Sequence, residues 1–87
     1  MLFPPGQIVA TPGALDLAEQ GIDLFAFLKR HLSGDWGDLC SEDIAENNFS
    51  LQQGNRLLSS YDTPFGKLGV ITEADRSVTT FLLPEEY

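Results

Sequence analysis

The sequence predicts an α+β domain: two to three N-terminal helices packed on a C-terminal three-stranded antiparallel meander, with a short strand or extended lead-in at 7–10. Three observations carry this. Up to Gly54, apolar residues recur at helical spacing between capping residues and glycines. From Arg56 onward the pattern alternates in short runs rich in β-branched and aromatic residues. The chain has 87 residues, the size of one domain spanning 1–87. Helices followed by strands, rather than interleaved with them, mark the α+β class.

Gln7-Ile8-Val9-Ala10 is the short apolar run. Thr11 can cap a helix and Pro12 suits its first position, where a missing N–H costs nothing. That helix runs to about Gln20, and Gly21 supplies a left-handed stop. Asp23 caps the next helix, whose apolar stripe is Leu24, Phe27, Leu28 and His31. Lys29, Arg30 and His31 lie in its last turn, where positive charge suits the helix dipole, and Gly34 ends it. After a loop, Ser41 caps a third helix with Glu42 and Asp43 in its first turn and Ile44, Ala45, Phe49 and Leu51 as apolar positions. Gly54 closes it. Residues 56–61, 67–73 and 78–83 read as strands joined by turns at 62–66 and 74–77. Leu57, Tyr61, Val70, Phe81 and Leu83 form the expected core stripe. Gly69 interrupts the middle strand and marks a bulge or a close backbone approach. Pro84 stops the last strand, leaving Glu85-Glu86-Tyr87 as a charged tail.

The hydrophobic fraction of 43% suits a globular core and argues against disorder. Thirteen acids against five bases give a net charge of −8. Such a surface repels phosphate and anionic lipid, which disfavours direct nucleic acid or membrane binding. It favours solubility, or a protein partner with a basic surface. Cys40 is the only cysteine, so no intramolecular disulfide can form. The start of the chain lacks the basic and apolar regions of a signal peptide, and a cytoplasmic location is expected.

Five acids, Asp35, Asp38, Glu42, Asp43 and Glu46, fall between Arg30 and Arg56 with no base among them. Their spacing does not fit a calcium loop, and no Cys/His pattern fits zinc. Together with Trp36, which stands between Gly34 and Gly37, they form the candidate interaction surface. An indole in a small domain is either a core plug with a paired N–H or an interface anchor. His31 and Cys40 flank the same loop and are the one thiol–imidazole pair available for nucleophilic chemistry. The alternative places them as a helix-terminal histidine and a small buried cysteine. No phosphate loop or nucleic acid platform is present, so no cofactor and no metal is expected. A three-stranded meander also leaves edges through which a homodimer could form.

Residues 6–15 (GQIVATPGAL), 31–40 (HLSGDWGDLC), and 71–76 (ITEADR) leading to 83–87 (LPEEY) together resemble a family of small bacterial proteins labelled plasmid-related. The resemblance extends over nearly the whole chain. Some members carry the label of the M subunit of a type I restriction endonuclease. Methylation would need an S-adenosylmethionine-binding domain with a Gly-rich loop and an Asn/Asp-Pro-Pro-aromatic motif, and this chain has neither. The resemblance implies a mobile-element background; the acidic surface, the small size and the lack of a catalytic constellation favour a non-catalytic protein-interaction module, with a small enzyme using His31/Cys40 or the acids of 35–46 as the alternative. A large aromatic is frequent in the family where Gly69 stands here, which implies a space or bulge at that point.

Overall fold

The computed structural model describes residues 1–86; Tyr87, the end of the expected tail, lies outside them. The chain runs β1 (Gln7–Ala10), α1 (Pro12–Glu19), α2 (Leu24–Leu32), α3 (Ser41–Gln53), β2 (Leu57–Thr63), β3 (Gly66–Thr72), β4 (Val78–Leu82) and a closing 3₁₀ turn, Pro84–Glu86. The α+β class stands, and the sheet has four strands in the order β1-β4-β3-β2. β2, β3 and β4 form the expected meander. β1 adds to it parallel to β4, with Ile8 opposite Thr79 and Ala10 opposite Phe81.

Local chemistry explains most boundaries. The Thr11 hydroxyl accepts from the Ala14 N–H, and the Asp23 carboxylate accepts from the Phe25 and Ala26 N–H groups. Gly21, Gly34 and Gly54 sit at φ +104°, +87° and +75° where the helices stop. α3 departs from expectation at its start. Cys40, not Ser41, is the N-cap, and it is exposed with no side-chain capping bond. Its buried side differs in part: Ile44 and Leu51 pack inward as expected, Asn47 and Ser50 join them, and Ala45 and Phe49 are exposed. The reason is that α3 meets the edge of β2, where backbone polar groups need partners, rather than an apolar sheet face.

Register places Tyr61, Leu68, Val70 and Phe81 on one sheet face. Ala14 and Leu17 of α1 and Leu28 of α2 pack there to form the main core. A second cluster joins Phe3, Trp36 and Leu57, with Leu39, Ile44 and Leu51 against it. Of the expected core stripe, Leu57, Tyr61, Val70 and Phe81 are buried and Leu83 is half-buried. Gly69 keeps regular register between Ser60 and Leu82, so the strand has no bulge there. A Cβ would lie 3.3 Å from the Leu82 carbonyl oxygen, a tight fit rather than an empty space.

The start of α1 is clasped to the closing 3₁₀ turn. Glu86 accepts from the Thr11 hydroxyl at 2.6 Å, the Gly13 N–H at 3.1 Å and the Leu83 N–H at 2.8 Å. Its carboxylate sits at the N-terminus of α1, where negative charge is favoured. The Thr11 hydroxyl holds the Glu86 carboxyl below the usual carboxylate range, with help from the Leu83 and Gly13 N–H groups. Glu86 is therefore a fastener and not part of a free tail.

Candidate functional site

The loop after α2 does not project Trp36 into solvent. The indole is 3% exposed, stacks on Phe3 with centroids 6.3 Å apart, and donates its N–H to the Asn48 side-chain oxygen at 3.0 Å. Its place in the candidate surface is thus corrected: it plugs the second core cluster. Two left-handed glycines make this possible, because the chain must turn inward on both sides of the indole.

Asp35 and Asp38 are likewise committed. Asp35 pairs with Arg30 at 2.6 Å and accepts from the Gly37 N–H at 3.1 Å. The Arg30 guanidinium holds its carboxyl below the usual range. That guanidinium also lies 4.6 Å from the centroid of the Tyr61 ring, whose hydroxyl donates to the Asp35 carbonyl at 2.7 Å. Burial pushes the Tyr61 phenol up to about 12. Asp38 accepts from the Asp62 N–H at 2.8 Å.

These contacts close one edge of the sheet. Ser60 donates its N–H to the Trp36 carbonyl at 3.1 Å and accepts from the Asp38 N–H at 2.6 Å, so Gly37 bridges it like a short parallel strand. Two residues along, the Asn47 amide completes the edge. It accepts from the Leu58 N–H at 3.0 Å and donates to the Leu58 carbonyl. An open strand edge invites unwanted pairing, and β2 is covered against it. β1 is different. Gln7 and Thr11 direct their N–H groups to Ser77 and Phe81, so alternation turns the polar backbone of Ile8 and Ala10 outward. Ile8 and Val9 are themselves exposed.

Glu42, Asp43 and Glu46 remain exposed on α3. The ion pairs among the described residues join Arg30 to Asp35, Arg56 to Glu73 and Lys67 to Asp62, and involve none of these three acids. Asp43 and Glu46 line a hollow of about 160 Å³ whose other walls are Leu39, Asn47, Arg56 and Leu58. A larger hollow of about 310 Å³ lies at the β2–β3 hairpin, against Phe65, Lys67, Leu83 and Glu85. Among the described residues no group of three His, Cys, Asp or Glu side chains is placed to hold a metal ion. No helix among them is long and apolar enough to cross a membrane.

His31 and Cys40 part company. The imidazole is fully buried, edge-on to Phe3 at 5.3 Å and to Trp36 at 5.5 Å between ring centroids. Its Nδ1 meets the Ser59 hydroxyl and its Nε2 lies 2.9 Å from the Thr72 hydroxyl, so neither nitrogen is bonded to the exposed thiol. The neighbouring hydroxyls fix the tautomer. Thr79 donates its one proton to the Pro5 carbonyl at 2.7 Å and so accepts from Thr72 at 2.7 Å. Thr72, having given its proton, accepts from His31 Nε2–H. Ser59 then donates to Nδ1. The chain of donors runs one way, Ser59 to His31 to Thr72 to Thr79 to Pro5. Burial, with the nearby Arg76 charge adding to it, lowers the His31 pKa to about 4. The ring is neutral at pH 7. Ser59 and His31 have the composition of a nucleophile and base, yet Ser59 has no exposed surface, and neither it nor His31 lines either hollow.

Sequence reasoning missed Ser59, Thr72, Thr79, Asn47 and Arg76. The first three could have been noticed as hydroxyls at inward strand positions facing the one histidine. Arg76 is the one described non-glycine residue at positive φ, and its guanidinium donates to the Asn55, Glu73, Ala74 and Ser50 carbonyls. Nothing local announced that role. Comparison with family models, with curated proteins and with solved structures gives no match.

Proposed function

We propose that the chain is a non-catalytic protein-interaction module whose α3 surface receives a basic segment of a partner protein. One observation carries the reading: the hollow between α3 and β2 is lined by the apolar Leu39 and Leu58 and by two acids, Asp43 and Glu46, that form no ion pair among the described residues, while Arg56 on its wall is paired with Glu73. That is the environment a lysine or arginine side chain needs, with apolar surface along its stem and carboxylates at its tip. Glu42 and the exposed Phe49 extend the same helix surface, and an exposed aromatic adds a cation–π partner. The net charge of −8 raises the encounter rate with any basic partner. The mobile-element setting rests on the resemblance of the sequence stretches alone.

The test is a titration with a short Lys/Arg- and Leu-containing peptide, followed by backbone amide shifts. Shifts should concentrate at Leu39, Asp43, Glu46 and Leu58. An Asp43→Asn/Glu46→Gln double variant should weaken binding at least tenfold, while Asp16→Asn/Glu19→Gln on α1 leaves it unchanged. Equal weakening by both pairs would reduce the interaction to net charge and remove the site.

The open β1 edge favours a second reading, a homodimer formed by pairing of β1 with its copy. Sedimentation should then show a dimer that Ile8→Pro, which removes an outward N–H and spares the bonds to β4, abolishes. A monomer at millimolar concentration would end that reading.

A further inference from the structure

We infer that residues 1–6 form an acid-released latch: protonation of His31 frees the N-terminal segment from the body and uncovers Trp36 and Leu57. The inference stands apart from the proposed partner surface. It begins with the walls of the imidazole site. β2, β3 and β4 present the hydroxyls of Ser59, Thr72 and Thr79, the loop after α2 presents the Trp36 indole, and the N-terminal segment presents the Phe3 ring. The charged group whose field reaches the ring is Arg76, from the β3–β4 turn, and it opposes a second positive charge. Lys29 and Arg30, beside His31 on α2, are also cationic. Among the described residues no carboxylate offsets that charge: Asp35, on the loop after α2, is paired with Arg30.

The one-way donor chain matches the neutral ring, which accepts at Nδ1 and donates at Nε2. An imidazolium donates from both nitrogens. Ser59 would have to accept instead and turn its own proton away from the ring, toward the Tyr61 hydroxyl, which already donates to the Asp35 carbonyl, in a site with no exposed surface. A buried cation without a counter-charge recruits water, and water enters through the least-held wall. Three walls belong to strands tied by a continuous register from Leu57 to Leu82. The N-terminal segment is tied by the Leu2 N–H to the Leu32 carbonyl at 2.7 Å, by the Pro5 carbonyl to Thr79, and at its end by the Gln7 N–H to the Ser77 carbonyl at 2.9 Å. Phe3 adds its burial and lies 5.6 Å, to its ring centroid, from the Arg76 guanidinium. Residues 1–6 precede β1, so this segment can leave without breaking a strand pair.

Amide hydrogen exchange read by NMR tests this, with the His31 ring titrated in the same samples. Between pH 7 and 4 the protection factor of Leu2 should fall, up to about 100-fold at the limit set by a ring pKa of 6.5 in the open state and about 4 in the closed one. Val70, at the centre of the sheet, should hold its protection. In His31→Gln, whose amide can accept from Ser59 and donate to Thr72 without titrating, Leu2 protection should be independent of pH. The latch is refuted by constant Leu2 protection in the native chain, by loss in step with Val70, or by the same acid loss in the glutamine variant. Should that variant not fold, the native chain still decides: Leu2 opening must rise as pH falls below 6.5 and level off where the native His31 ring itself becomes protonated.

Discussion

Replacing Asn47 tests the most specific long-range contact at the edge of the sheet. Its side chain is 5% exposed and serves both polar groups of Leu58, on a strand edge that no backbone covers at that point. Asn47→Ala leaves the Leu58 N–H and carbonyl without partners in a half-buried position. A lost bond that strands a backbone group costs roughly 1–3 kcal/mol, and partial access of water to the edge puts each at the low end. The expected loss is about 2–3 kcal/mol. For a chain of this length that corresponds to a fall in Tm of roughly 10–20 °C. Asn47→Asp sharpens the test, since it keeps the shape and the acceptor but turns a second oxygen toward the Leu58 carbonyl. At pH 7 it should cost as much as alanine. At pH 4 the protonated carboxyl can donate to Leu58, and much of the loss should return. Urea unfolding followed by Trp36 fluorescence and far-UV circular dichroism reads both variants. A loss below about 0.5 kcal/mol for alanine, within the range of an ordinary surface change, would refute the edge-completion argument.

The other predictions concern the ends and turns of the fold. Native His31 is neutral above about pH 4 while the unfolded ring takes up a proton below about 6.5. Stability is therefore full above pH 6.5, falls as pH drops, and levels below 4 after a loss of about 3 kcal/mol, which the difference between the native chain and His31→Gln in pH-dependent urea unfolding should reproduce. Glu86 works in the same direction at lower pH. Its carboxyl is held below its ordinary value of 4.5, so its contribution is present above that pH and vanishes as pH falls through the native value. Glu86→Gln should lower Tm at pH 7 and flatten this last part of the acid profile. Gly37 and Gly54 share a left-handed backbone, at φ +79° and +75°, but a Cβ at Gly37 would overlap the Ser60 carbonyl whereas Gly54 faces open space. Gly54→Ala should cost about 1 kcal/mol and Gly37→Ala at least about 2 kcal/mol more, measured by thermal unfolding; equal costs would mean the loop can lift off β2 without penalty.

What the sequence determined by itself is the local part of the fold. Thr11, Pro12, Asp23 and the stopping glycines act on their own backbone within a few residues, so helix limits could be read from them directly. Alternation from Leu57 to Leu82 likewise sets which side chains share a face, because the period of a strand belongs to the strand. Tertiary structure decided the rest. β1 pairs with a strand some seventy residues away, and no local signal in Gln7–Ala10 says that its partner is β4 or that the pairing is parallel. The candidate acids separated only in three dimensions: register brought Ser60 and Asp62 beside the loop and engaged Asp38, while Asp43 and Glu46 were left free. Trp36 and His31 looked alike as possible site residues, yet both are buried because Phe3, Ser59 and Thr72 arrive around them from distant positions. Backbone preference is a property of a few neighbouring residues. The partner of a polar side chain is a property of the register and packing of the whole chain.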